Sequence, residues 1–232
     1  MNQRIAFAVH EIRQRIDHAA VKSGRDSSQV QLVAVTKYAA PGDEIHAALL
    51  DAPCCDFGES RPQLLEEKAA YYAGQPIRWH LIGPLQRNKI RKILPLTTLI
   101  HSVDSLKLAE AINRVAEEEG IGSVACLLEI AVSGEATKHG FVSDELPMVM
   151  ERLAQLPRLT VNGLMAMSGL HADESEIRRQ FETVRTLSVS LQERGTPPNV
   201  PLTELSMGMS DDFEIAVEEG ATLVRIGSRL YQ

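Results

Sequence analysis

The chain has 232 residues, 44% of them hydrophobic and 24% charged, with a net charge of −7. That length buries one substantial core, and that charged fraction belongs to a folded chain rather than a disordered one. The acidic balance argues against a dedicated binder of nucleic acid or anionic membrane and leaves only a local basic patch to weigh.

Residues 1–20 carry Arg4, Glu11, Arg13, Arg15 and Asp17, which breaks any apolar segment of a signal peptide. No uncharged run is long enough to span a bilayer, so the expected location is the cytoplasm. In the same segment Ile5, Val9, Ile12 and Ile16 fall on one stripe of an amphipathic helix, ended by Ser23-Gly24. Beyond it, short apolar runs alternate with helical stretches. The predicted strands are 32–37, 56–60, 78–83, 99–104, 124–130, 161–167, 204–209 and 223–227. Between them, Leu108, Ile112 and Val115 share a helical face, with Asp104 placed to cap it and Gly120 to end it. Ile177, Phe181, Val184, Leu187 and Leu191 line another, and Pro197-Pro198-Asn199 reads as a loop. Ser210-Asp211-Asp212 opens a last helix with a cap and acidic first turn, and Gly220 closes it. Cys54, Cys55 and Cys126 have neither disulfide-framework nor metal-ligand spacing, and read as small buried residues in a reducing compartment.

Eight strands alternating with helices predict an α/β fold: a single (β/α)₈ TIM barrel over 1–232, with an extra N-terminal helix, 1–24, packed on it. A doubly wound sheet is the rival, but no G-x-G-x-x-G or Walker sequence supports it.

Functional groups of such barrels sit at the C-terminal ends of strands. Lys37 ends the first run, where partial desolvation favours the nucleophilic free amine; a lysine that snorkels to solvent fits the position equally well. Arg225 lies inside the apolar run 223–227 and needs a partner there, either a structural carboxylate or a ligand. The N–H groups of Gly227 and Ser228 are placed to meet a phosphate, and Ser206 can hydrogen-bond one. Ser210, Asp211 and Asp212 read as helix-capping groups rather than a metal site. His80 alternates with Trp79 in the third run, and a lone strand histidine is more often a hydrogen-bonded core residue than a catalyst. Gly-Glu-Ser at 58–60 ends the second run, where Glu59 or Ser60 is placed to reach the site and Ser60 equally to start the helix containing Pro62. Arg87, Lys89, Arg91 and Lys92 read as a solvated helix face.

Val-Ala-Val-Thr-Lys at 33–37, Phe-Gly-Glu at 57–59, Trp-His-Leu-Ile-Gly at 79–83, Leu-Gln-Arg-Asn-Lys at 85–89, Ile-His-Ser-Val-Asp at 100–104, Gly-Leu-Met at 163–165, Leu-Ser-Met-Gly-Met-Ser-Asp-Asp at 205–212 and Val-Arg-Ile-Gly-Ser at 224–228 stand in this order. Together they resemble the YggS/PROSC family, the pyridoxal phosphate homeostasis proteins. The resemblance implies a barrel similar to the N-terminal domain of alanine racemase. It implies pyridoxal 5′-phosphate (PLP) held as a Schiff base on Lys37, with Arg225 facing the pyridine nitrogen. Ser206, Gly227 and Ser228 match the phosphate-binding positions. Met165 and His80 match positions near the cofactor, and Ser60 stands where the family usually has asparagine.

An arginine beside the ring nitrogen can only donate, so it weakens the electron sink that PLP catalysis uses. The chain runs only briefly past Ser228, and the second domain with which alanine racemases complete their acid/base pair is expected to be lacking. The expected function is therefore non-catalytic: an intracellular PLP carrier serving apo PLP-dependent enzymes, working as a monomer. The alternatives are an amino-acid racemase using His80 as its acid/base group, and an interaction protein that docks on PLP enzymes or RNA through the basic residues at 87–92.

Overall fold

The computed structural model describes residues 2–132 and 140–231. Helix α1 (Asn2–Lys22) comes first. It is followed by β1 (Gln31–Val35), α2 (Glu44–Asp51), β2 (Asp56–Glu59), α3 (Pro62–Tyr71), β3 (Arg78–Leu81), α4 (Ile90–Ile93) and β4 (Leu99–Val103). Then come α5 (Leu106–Glu118), β5 (Val124–Glu129), α6 (Leu146–Leu153), β6 (Leu159–Met165), α7 (Glu174–Glu193), β7 (Glu204–Ser206), α8 (Phe213–Glu218) and β8 (Leu223–Ile226). The strands pair in parallel, in chain order, and β8 returns to β1 to close the barrel.

Period-two alternation sorts the strand side chains into two layers. Val33, Leu99, Leu127, Met165 and Leu223 meet inside the barrel. Their neighbours Ala34, Ile100, Leu128, Leu164 and Val224 face outward into the larger core beneath the helices. Each layer is sealed from water, so a polar side chain pointing inward must find its partners there.

The predicted N-terminal helix has a definite station. Ile5, Val9, Ile12 and Ile16 are all buried, and α1 packs against both α2 and α8. It therefore occupies the place in the outer ring between α8 and α2, where a helix following β8 would otherwise lie. Fully burying each isoleucine stabilises the fold by about 1.5–3 kcal/mol.

Strand ends and caps differ from the sequence reading in detail. β1 stops at Val35 because the chain turns: Ala39 N–H donates to the Thr36 carbonyl at 2.9 Å. Lys37 thus sits in a turn just beyond the strand. β6 starts earlier than expected, at Leu159, which pairs with Val124. β7 ends at Ser206, three residues early, because Gly208 takes a φ of +86°. Ser105, not Asp104, caps α5 by accepting from Leu108 N–H. Asp212, not Ser210, stands at the N-terminus of α8, because the Ser210 hydroxyl is taken by Gly227 N–H. The helix containing Pro62 is preceded by Arg61, with Pro62 in its first turn, where a missing N–H costs nothing.

The three cysteines are free thiols, and burial pushes those of Cys54 and Cys126 up to about 12. Among the described residues no helix is long and apolar enough to cross a membrane.

Truncating α1 in its buried stripe tests its station in the ring. Ile12→Ala is expected to lower unfolding free energy in urea by about 2–5 kcal/mol. Phe7→Ala, on the exposed side of the same helix, is expected to stay within about 0.5 kcal/mol of the parent.

Candidate functional site

Lys37 is half-buried in the turn after β1, with its Nζ 4.9 Å from the centre of the exposed Tyr38 ring. The residue before it is fixed from two sides. The Thr36 hydroxyl donates to Glu59 Oε1 at 2.7 Å, and Lys68 Nζ donates to the Thr36 carbonyl at 2.7 Å. Lys68 and Glu59 are themselves ion-paired, both with fully buried side chains. Tyr231 closes the same end, its ring edge-on to Tyr38 and its hydroxyl donating to the Val35 carbonyl at 3.4 Å. The backbone under Lys37 is thus anchored at the C-terminal end of the barrel.

Beside it lie the ends of β7 and β8. Arg225 is 4% exposed. Its Nη1 donates to the Ser206 carbonyl at 2.7 Å and to Ser206 Oγ at 2.5 Å, and its Nη2 donates to the Ala166 carbonyl at 3.0 Å. All three acceptors are neutral. A guanidinium has five N–H donors, so these bonds leave Nε–H and one Nη2–H uncommitted among the described residues. Burial lowers the Arg225 guanidinium to about 10, opposed by the charges of Asp212 and Glu129; it remains a cation at neutral pH.

Past β7 the chain folds back tightly. A side chain at Gly208 would meet Ala216 Cβ at 2.6 Å and Phe213 Cα at 2.8 Å, so only glycine fits at its positive φ. This turn lets Gly208 accept from Arg225 N–H at 3.0 Å and places Ser210 Oγ 3.2 Å from Gly227 N, from which it accepts. Asp212 ties the turn down by accepting from Met209 N–H at 2.5 Å and from the Ser168 hydroxyl at 2.6 Å. Ser228, exposed, begins a short 3₁₀ turn directly after Gly227. The result is a small polar cradle of Ser210, Gly227 and Ser228 at the barrel mouth.

Beneath Arg225 a column of polar side chains crosses the interior. Ser206 Oγ lies 2.8 Å from His101 Nδ1, and His101 Nε2 lies 2.9 Å from His80 Nδ1. His80 Nε2 lies 3.1 Å from Asp56 Oδ1, to which Arg78 Nε also donates at 2.6 Å. Burial would raise the Asp56 carboxyl, but hydrogen bonds from His80, Arg78 and Gln31 outweigh it and hold it well below the usual carboxylate range. Burial, with the nearby Arg225 cation, holds the His101 imidazole well below its ordinary value.

The structure therefore brings Lys37, Gly227 and Ser228 to one end of the barrel, with Arg225 and Ser206 just inside. Ser206 is fully buried and its hydroxyl is engaged by Arg225 and His101; Ser210 is the serine that stands beside Gly227. Met165 belongs to the interior apolar layer. Ser60 follows β2, where its carbonyl lies so close to Gly83 that any Cβ there would come within 2.3 Å. His80 has both ring nitrogens engaged. Sequence reasoning assigned no role to Asp56, Lys68 or His101, and it placed Glu59 within reach of the site, where the structure instead pairs it with Lys68 and Thr36. For His101 a signal existed: it alternates with Ile100 in an apolar strand, the pattern that singled out His80. Of the basic residues at 87–92, Arg91 is paired with Glu118 and Glu119, and Lys92 with Glu66.

The alanine racemase N-terminal domain family matches residues 9–232. The pyridoxal phosphate homeostasis protein of Pseudomonas aeruginosa is 42% identical over 231 residues, covering 98% of this chain and 94% of that protein. The structure of PipY from Synechococcus elongatus, with PLP bound, superposes with a TM-score of 0.84 at 34% identity, covering 98% of this chain and all of the other. Alanine racemase from Clostridium difficile shares the fold, with a TM-score of 0.75 at 16% identity over 99% of this chain and 56% of its own length.

The anchor under Lys37 can be tested alone. Lys68→Ala leaves the Glu59 carboxylate buried without its cation, and is expected to cost about 3–5 kcal/mol in urea unfolding.

Proposed function

The chain belongs to the pyridoxal phosphate homeostasis protein family, and from that membership we propose that it binds PLP reversibly at the C-terminal mouth of the barrel, through a Schiff base on Lys37. The observation that carries the reading is Arg225. It is a buried cation whose hydrogen bonds go only to neutral oxygens and which keeps N–H donors in hand. A pyridine nitrogen, with one lone pair and no charge, is an acceptor suited to them.

The remaining groups fit the same ligand. The cofactor, when bound, supplies an aldehyde and an electron-withdrawing ring. Lys37, as the neutral amine, condenses with an aldehyde: the C=N bond forms and one water leaves. The anchored Thr36 sets the base of that lysine. Ser210 and Ser228 are the proposed phosphate-binding groups, through their hydroxyls and the Ser228 backbone N–H, and Gly227, whose N–H goes to Ser210 Oγ, lets the phosphate approach the backbone closely. Ser206 moves out of that set, because its hydroxyl already serves Arg225 and His101.

The proposed role is carriage rather than catalysis. Arg225 can only donate, which keeps a facing ring nitrogen unprotonated and its electron demand low. His80, the candidate acid/base group for racemisation, is committed on both nitrogens to Asp56 and His101. Delivery to apo PLP-dependent enzymes, a monomeric state and cytoplasmic residence belong to the same proposal.

Adding PLP to the purified protein is expected to give an imine absorbance band, and borohydride reduction to leave the adduct on the Lys37 peptide. Lys37→Ala is expected to remove both; a band that survives would refute the assignment. Ser210→Ala is expected to weaken PLP binding by about tenfold or more, the loss of one hydrogen bond to a charged group, while leaving the affinity for unphosphorylated pyridoxal unchanged.

A further inference from the structure

The column beneath Arg225 contains two histidines, each with two alternative proton positions, and its contacts admit one consistent assignment. The Asp56 carboxylate is ionised and can only accept, so His80 donates to it from Nε2. The Ser206 hydroxyl lies between His101 Nδ1 and Arg225 Nη1. Arginine can only donate, so Ser206 Oγ accepts from Arg225 and has its own hydrogen to give. The acceptor in reach is His101 Nδ1. His101 then carries its hydrogen on Nε2 and donates to His80 Nδ1. Every hydrogen points the same way, from the cation at Arg225 to the anion at Asp56. The reverse assignment places an N–H on His101 Nδ1. It crowds two donors onto Ser206 Oγ, leaves the hydroxyl hydrogen without that acceptor, and adds a second positive charge on His80 inside the barrel.

We propose that Asp56, His80 and His101 are positioning residues for Arg225, forming a one-way hydrogen-bond relay from the N-terminal end of the barrel that fixes how the guanidinium is presented at the opposite mouth. The proposal rests on the reading of Arg225 as the group that faces the PLP ring nitrogen. Asp56 heads β2 and Arg225 lies within β8, so the two ends of the relay touch only through the side chains between them. Two of the Arg225 contacts are to backbone carbonyls, which the fold supplies. The third, to Ser206 Oγ, depends on which way that hydroxyl points, and Asp56 determines this through two imidazole rings. Asp56 is in turn oriented by Arg78.

The test starts with the cofactor-free protein, using ¹⁵N–¹H correlation of the histidine rings and the arginine side chains. His80 and His101 are each expected to carry hydrogen on Nε2 with Nδ1 bare. Asp56→Asn, which removes the charge at the far end of the relay, is expected to move the His101 ring signals and to speed exchange of the Arg225 side-chain N–H by about fivefold or more. Loaded with PLP, the same variant is expected to keep its adduct on Lys37 but to show a shifted absorbance band. Hydrogen on Nδ1 of either ring in the parent protein overturns the proposal. So does an Asp56→Asn protein whose His101 signals, Arg225 exchange and band match the parent. If Asp56→Asn does not fold, the parent's ring protonation still decides. If the parent takes up no PLP, the cofactor reading fails, while the ring protonation and Arg225 exchange in the free protein judge the relay.

Discussion

A guanidinium held away from water is the constraint that organises this barrel. Removing a charge from water costs several kcal/mol even after relaxation, and Arg225 sits where no carboxylate accepts its hydrogen bonds. The surrounding elements compensate by geometry. β7 ends early so that the Ser206 carbonyl and hydroxyl face inward, Ala166 turns its carbonyl to the same point, and the tight turn at Gly208 accepts the Arg225 backbone N–H. The apolar layer of Val33, Leu99, Leu127, Met165 and Leu223 fills the rest of the interior. The charge is therefore tolerated by neutral acceptors rather than neutralised by a hydrogen-bonded carboxylate.

The second buried charge pair solves a different problem. Glu59 and Lys68 lie on the outer side of the barrel wall, and they anchor Thr36 through its hydroxyl and its carbonyl. One device presents a donor from inside the barrel, and the other fixes the backbone from which Lys37 projects. They share no residue.

Much of this was legible in the chain. Short apolar runs located all eight strands, because strands of a parallel barrel are buried on both faces, and the stripe of Ile5, Val9, Ile12 and Ile16 located α1. What local pattern could not show was the station of α1 between α8 and α2, because ring order is a tertiary fact. Caps were misplaced where a side chain had a stronger distant partner: Ser210 caps nothing because Gly227, far along the chain, takes its hydroxyl. Lys37, Arg225, Gly227 and Ser228 drew attention as polar residues at strand ends or inside apolar runs. Asp56 gave no such sign as a single residue, and the sign His101 gave, its place in an apolar strand, named no partner. Their importance lies in the line they form across four strands, which exists only once the barrel closes.

The anchoring of Thr36 also bears on how a molecule attached at Lys37 would leave. A lysine on a mobile loop releases its cargo when the loop opens, and the rate is that of the loop. Here the post is tied through its hydroxyl and its carbonyl, and the four-carbon tether above it turns on the fast timescale of side-chain rotation. On the proposed reading, release would be governed by the return of water to a single carbon–nitrogen bond and by the hold at the Ser210–Gly227 cradle. A carrier built this way would keep its own shape through capture and discharge, its turnover set by bond chemistry rather than by the motion of the fold.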